Sequence, residues 1–138
     1  MTFSVRIAVR AYELDTQGHV NNAVYHQYGD HARWECLRAA GISVDDLVGS
    51  GVGPVTLENT IRFHRELRDG DEVEVTCAFE WGEGRTFRIR QEFRRADGEL
   101  AAEMTGVGGL LDLQARRLID DPEARWRSLA RTPAVLGL

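Results

Sequence analysis

Apolar and polar positions alternate with period two over four stretches of the chain. Phe3, Val5, Ile7, Val9 and Ala11 are separated by Ser4, Arg6, Ala8 and Arg10. Val55, Leu57, Asn59, Ile61 and Phe63 alternate with Thr56, Glu58, Thr60 and Arg62. Val73, Val75, Cys77, Phe79 and Trp81 alternate with Glu74, Thr76, Ala78 and Glu80, and Phe87, Ile89, Gln91 and Phe93 with Arg88, Arg90 and Glu92. This period places alternate side chains on opposite faces of a strand, one buried and one wet or laid against a partner. A fifth strand, rich in glycine and small residues, is predicted over residues 100–113. The segments Arg68-Asp69-Gly70-Asp71, Gly82-Glu83-Gly84 and Ala96-Asp97-Gly98-Glu99 are short, carry glycine and separate strand patterns. They predict hairpins, so the strands between residues 54 and 113 are expected to form an antiparallel meander.

The helical period appears over residues 22–40. Tyr25, Tyr28, Ala32, Cys36 and Ala39 recur at spacings of three and four, Asn21 or Asn22 stands where a cap is needed, and Gly41 ends the run. A short C-terminal helix is expected over 122–130, with Pro122 in its first turn. Strand, long helix, then four antiparallel strands describe an α+β fold. A single five-stranded sheet wrapped around one long helix satisfies both apolar faces. Strands this long with charged outer faces need covering at their edges, so a homodimer, or a dimer of dimers, is expected.

The chain has 138 residues, and residues 1–138 are read as one domain without repeat or linker. Its net charge of −5 argues against nucleic acid as a partner. No apolar run is long enough to span a bilayer. The N-terminal stretch alternates and carries early acids, unlike a signal peptide, so a cytoplasmic location and no membrane association are expected. All 17 basic residues are arginine, which excludes a Walker P-loop and lysine Schiff-base chemistry. Cys36 and Cys77 fall in different predicted elements and form no C-x-x-C; both are read as buried free thiols. His26 and His31 are five apart and share no helix face, so with His19 they make a poor metal set. Ser50 lies outside any G-x-S-x-G, and Gly106, Gly108 and Gly109 open no helix. No metal and no cofactor are expected.

The segment from Asp15 to Tyr25 is polar and runs into the start of the long helix. The first N–H groups of a helix are unpaired and carry partial positive charge, so they can hold an oxyanion. A carboxylate a few residues upstream can act there as base or nucleophile. Two readings fit this pattern: an acyl-transfer site built on Asp15, or turn and cap residues only.

The string Arg10-Ala11-Tyr12-Glu13-Leu14-Asp15, followed by Gly18-His19-Val20-Asn21-Asn22 and Tyr25, resembles the signature of hotdog-fold acyl thioesterases, nearest to the 4-hydroxybenzoyl-CoA thioesterase type. Plant acyl-carrier-protein thioesterases share a similar D-x-x-x-H-V-N-N string, and Gly53-Pro54 before the second strand also fits. The resemblance implies a hotdog fold and hydrolysis of an acyl-CoA or acyl-carrier-protein thioester. Asp15 matches the catalytic carboxylate and the backbone N–H of Asn22 the oxyanion donor. His19, Asn21 and Tyr25 match positions that shape the loop and pocket; His19 is also a candidate base, although its place suits loop packing better. Glu13 stands where many relatives have Asp. The site is expected at a dimer interface, where residues of the second strand from the other subunit approach Asp15; the candidates are Glu58, Asn59 and Thr60.

Coenzyme A carries phosphates, which arginine suits. Arg85, Arg88, Arg90, Arg94 and Arg95 lie on or beside one hairpin, with Arg88 and Arg90 the proposed phosphate contacts; pairing with Glu72, Glu74 and Glu80 across the strands explains them equally well. Trp34, Trp81, Tyr25 and Phe63 line an aryl pocket or belong to the core. The alternatives to a thioesterase are a non-catalytic acyl-CoA-binding module on this fold and a hotdog dehydratase or hydratase, which places a catalytic histidine near a proline that His19 lacks.

Overall fold

The computed structural model describes residues 2–138. Five long strands carry the sheet: β1 (Phe3–Ala8), β2 (Val52–Phe63), β3 (Glu72–Glu80), β4 (Phe87–Arg95) and β5 (Leu100–Asp112). The long helix α1 (Asn22–Ala39) lies between β1 and β2 in sequence, a short α2 (Val44–Gly49) follows it, and α3 (Pro122–Leu129) stands near the C-terminus. The sheet runs β1-β3-β4-β5-β2, every pairing antiparallel, and a two-residue β6 (Arg117–Leu118) adds to the end of β5. The architecture is the expected hotdog arrangement, a curled sheet around one helix. Among the described residues no helix is long and apolar enough to cross a membrane.

The meander is shorter than expected. Only β3, β4 and β5 follow one another across the sheet; β2 pairs with the far edge of β5, and β3 pairs with β1. The Arg68–Asp71 turn therefore closes no β2–β3 hairpin. Residues 64–71 instead cross the end of the sheet with Leu67 fully buried beneath the head of α1. The carbonyl of Leu67 accepts from the N–H of Val20 at 2.8 Å, and the carbonyl of Asp71 from Val9 at 2.8 Å. This last bond carries the β1–β3 register one step past Ala8, where β1 ends rather than at Ala11; Ala11–Glu13 make one 3-10 turn.

Alternation along β2 is interrupted too. A bulge between Thr56 and Glu58 shifts the register against β5. An extra residue moves all that precede it to the other face. Thr56 thus joins Asn59 on the helix side, where Arg33 reaches both, and Leu57 is left 53% exposed.

The buried stripe of α1 is Tyr25, Tyr28, Gly29, Ala32 and Cys36, with Leu37 and Ala40 buried where Ala39 was expected. Gly29 permits the helix to sit close: a Cβ there would lie 3.2 Å from Oε1 of Gln91 and 3.4 Å from Met104. One half of the core gathers Ile7, Tyr28, Val75, Phe93 and Met104 at the head of the helix; the other gathers Cys36, Leu47, Phe87, Leu110 and Trp126 at its tail. The unexpected α2 carries a capping box, with Ser43 Oγ accepting from Asp46 N and Asp46 Oδ2 from Ser43 N, each at 3.0 Å.

Candidate functional site

Residues 14–20 fold into a tight loop before α1. Leu14 bridges Val20, the N–H of Asp15 donates to the carbonyl of His19 at 2.8 Å, and that of Gly18 to the carbonyl of Asp15 at 3.1 Å. Gly18 has φ 79°, a left-handed conformation glycine adopts without a Cβ clash. His19 also bridges Arg68, so the crossing segment 64–71 holds the loop from below.

The loop fixes the Asp15 carboxylate at both oxygens. Oδ1 accepts from the N–H of Gln17 at 2.9 Å, and Oδ2 lies 3.2 Å from Nδ1 of His19. The other ring nitrogen of His19 faces Oε1 of Gln17 at 3.1 Å. Asp15 and His19 keep 29% and 27% of their side-chain surface exposed, so the carboxylate is held and still reachable. His19 touches Asp15 directly and orients it.

Asn21 is the cap of α1: its Oδ1 accepts from the N–H of Ala23 at 2.9 Å, and its own N–H donates to the carbonyl of Glu13. Asn22 is the first helical residue, and its N–H has no acceptor within the helix. The loop thus presents a fixed carboxylate beside the positive end of an 18-residue helix.

Next to this pair lies an open hollow of about 360 Å3, lined by His19, Asn22, Tyr25, Phe63, His64 and Glu66 among others. Tyr25 is 3% exposed, and its ring meets that of Phe63 edge-on at 5.0 Å. Burial pushes the Tyr25 phenol up, and a bond to the backbone of Leu67 works against that rise.

Glu13 is the buried anchor beneath the loop, 8% exposed, with Oε1 accepting from the N–H of Arg10 at 2.8 Å and from the Tyr28 hydroxyl at 2.5 Å. Burial and the Glu13 bond both drive the Tyr28 phenol well above its usual range, so it stays a donor.

His19, Asn22 and Tyr25 thus share one hollow, Asp15 is joined to it through His19, and Asn21 caps the helix that forms its wall. Glu58, Asn59 and Thr60 do not join them within one chain. They lie along β2 opposite Val107, Gly106 and Thr105, Glu58 and Thr60 exposed, and Asn59 Oδ1 accepts from Nη2 of Arg33 at 3.0 Å. Arg88 and Arg90 stand exposed on β4 and are not among the residues lining the hollow; Arg90 Nε donates to Oε2 of Glu80 at 2.7 Å, whereas Arg88 forms no ion pair among the described residues.

Arg33 escaped the sequence reading. The signal was a charged residue spaced four from both Gly29 and Leu37, on the inward stripe of the helix. It binds Gln91, Asn59 and Thr56 and so ties α1 to β4 and β2.

Comparison with known proteins bears on the family and the fold. Residues 9–133 match the model of the thioesterase-like superfamily. A chloroplastic acyl-acyl carrier protein thioesterase of Arabidopsis thaliana is 45% identical over 71 residues, 51% of this chain and 37% of that protein. A long-chain acyl-CoA thioesterase of Escherichia coli is 24% identical over 115 residues, 83% of this chain and 86% of that one. The chain spans well under half the length of the Arabidopsis relative. The crystal structure of a 1,4-dihydroxy-2-naphthoyl-CoA thioesterase from Synechocystis superposes with a TM-score of 0.83 at 19% identity, covering 94% of this chain and 95% of that one, which shows a shared fold. With the family model matching nearly its whole length, the chain belongs to the thioesterase-like superfamily.

Proposed function

We propose that this protein is a thioester hydrolase acting on an acyl-CoA or an acyl-carrier-protein thioester. The observation that carries the reading is one hydrogen-bonded loop that fixes the Asp15 carboxylate and runs, through His19 and Asn21, straight into the unpaired N–H groups at the head of α1. The thioester carbonyl sits at the helix start, and its oxygen takes the Asn22 N–H as charge develops. Asp15 either attacks the carbonyl carbon, giving an anhydride that water opens, or takes a proton from the attacking water. On both routes the C–S bond breaks, the thiol leaves with a proton, and the acid is released. Within the superfamily, the Asp15-to-Tyr25 string supports the 4-hydroxybenzoyl-CoA thioesterase type.

The working unit of this reading is a homodimer. The β2 strand is 12 residues long, pairs on one side only among the described residues, and exposes every residue from Thr56 to Thr60. An open edge of that length invites a second copy. The partner's Glu58, Asn59 and Thr60 would then close the wall that one chain leaves open beside Asp15.

A panel of aliphatic and aryl CoA and carrier-protein thioesters, read by free-thiol release, tests the activity. Turnover that Asp15→Asn reduces by at least about 10²-fold is expected; no release from any member ends the reading. Light scattering that finds only a 15.5 kDa species would end the shared site.

A further inference from the structure

Arg33 is half-buried, yet all its side-chain partners are neutral. Nε donates to Gln91 Oε1 at 2.9 Å, Nη2 to Asn59 Oδ1 at 3.0 Å, and Nη1 lies 3.5 Å from Oγ1 of Thr56. Nη2 also lies 3.8 Å from the Met104 sulfur. No carboxylate stands within ion-pair distance; Asp30, nearly a turn earlier on α1, acts on it only through space, and burial opposes its charge. A guanidinium has five N–H donors, so one on Nη1 is left over. Gly106 clears the space it occupies, since a Cβ there would fall 2.5 Å from Nη2.

This guanidinium stands at the mouth of a cavity of about 90 Å3 between α1 and the sheet. Asp30, Pro54 and Thr56 share the mouth, and Leu37, Phe87, Ile89 and Trp126 form the buried walls. Trp126 is 1% exposed, and its Nε1 is the one buried side-chain polar atom among the described residues without a hydrogen-bond partner. The contrast with Trp81 is direct: its Nε1 donates to the carbonyl of Leu136 at 2.7 Å. A donor left unpaired in an apolar wall is costly unless something accepts from it.

We infer that the cavity binds the tail of an acyl group bearing a neutral hydrogen-bond-accepting oxygen, an oxo or hydroxyl group, met by Arg33 at the mouth and by Trp126 Nε1 behind. The aliphatic and aromatic walls suit a hydrocarbon tail. The volume is below the roughly 150 Å3 of an apolar cavity that admits benzene, which favours a slim chain over a ring. Asp30 at the mouth repels a carboxylate and accepts from a hydroxyl. The mouth lies on β2, the strand the dimer laid out above sets against the partner's Asp15. As a statement about substrates the inference rests on the thioesterase reading; as a statement about binding it stands apart from it.

The kinetic test uses CoA thioesters of one chain length: saturated, with an oxo or hydroxyl group at successive carbons, and with a terminal carboxylate. The wild type is expected to favour one of the oxo or hydroxyl substrates over the saturated one by at least about tenfold in kcat/KM, because a site built to bond an oxygen rejects the analogue lacking it. Arg33→Met brings that substrate down to the saturated one, and Arg33→Lys restores part of the difference. A flat wild-type profile, a preference for the carboxylate, or an equal loss on all substrates in Arg33→Met overturns the inference and leaves the hydrolase reading standing. The second test needs no turnover. In ¹H–¹⁵N spectra the Trp126 indole proton signal, assigned through Trp126→Phe, is expected to move downfield with butan-1-ol, as a new hydrogen bond from Nε1 requires, and not to move downfield with n-pentane. The same response to both, or to neither, overturns the site whether or not any thioester is hydrolysed.

Discussion

Tyr28 donates its hydroxyl to Oε1 of Glu13 at 2.5 Å, joining the inward face of α1 to the turn that precedes the Asp15 loop, fifteen positions earlier. The Glu13 backbone carbonyl takes the N–H of Asn21, the cap of the same helix, at 2.9 Å. One buried acid therefore ties the chain before the loop to the helix after it. A hydrogen bond to a charged acceptor contributes about 1.5–3 kcal/mol. Tyr28→Phe is expected to lower the melting temperature by roughly 5–10 °C, and kcat with it, since Asp15 lies two residues beyond Glu13. Calorimetry and thiol-release kinetics on the same preparation check this; a variant with unchanged melting temperature and turnover would show that the bond holds nothing in place.

Asp15→Asn separates charge from shape. The side chain keeps its size and one oxygen, so the Gln17 bond survives, and the loop remains held through the Asp15 and Val20 backbone bonds. The carboxylate that attacks or accepts a proton in the proposed reaction is gone, while the N–H groups of α1 remain. We expect kcat to fall at least about 10²-fold, KM to stay within a few-fold, and the fold to be kept. A folded variant turning over at the wild-type rate would move the chemistry to another carboxylate, with Glu58 and Glu13 the next to test.

Arg88 and Arg90 differ in a way that kinetics reads. Arg90 is paired to Glu80 across the β3–β4 hairpin, and Arg88 has no ion-pair partner among the described residues. If the hairpin holds nucleotide phosphates, Arg88→Ala raises KM for CoA thioesters several-fold and leaves short thioesters lacking the nucleotide unaffected, and Arg90→Ala does less. Equal effects on both substrate kinds would make the hairpin structural.

Cys36 and Cys77 face each other across the helix–sheet contact, both essentially without exposed surface. The bond to Cys36 and then burial push the Cys77 thiol up, while the same bond draws the Cys36 thiol down, so it is the packing around both that keeps reagents away. Neither cysteine is expected to react with an aromatic disulfide reagent in the folded protein near pH 8, and both are expected to react once denaturant opens the core. Prompt labelling of the native protein would contradict this packing.

The elements with strong periodicity were legible from the residues. The start of α1, the β3–β4 and β4–β5 turns and the inward face of β3 lie where the pattern puts them. The position of β2 was not legible, because a glycine-bearing turn after a strand reads as a hairpin, and only the burial of Leu67 and its bond to Val20 reveal a crossing. The bulge at Leu57 was hidden because Val55, Leu57, Asn59 and Ile61 read as unbroken alternation. The α2 helix has one buried residue, Leu47, too few to show a period. At the site, local order in sequence became local order in space for Asp15 through Tyr25. Glu58 and Thr60 stand apart from that loop within one chain, and Arg33 was passed over because a polar residue in an apolar stripe shows its partners only when the sheet is in place.

The strand order also governs the timing of synthesis. The β2 strand leaves the ribosome well before the one strand of its own chain that it pairs with, β5, which ends at Asp112. At about 5–20 residues per second the interval is roughly 3–10 s. During it both edges of β2 are open and α1 has only part of its covering sheet, and such non-local pairings close late. A nascent chain halted before Leu100 therefore displays a β2 strand with nothing of its own to pair with. The demand this protein places on chaperones is set by the place of β5 in the reading order, and stabilising the finished fold does not shorten it.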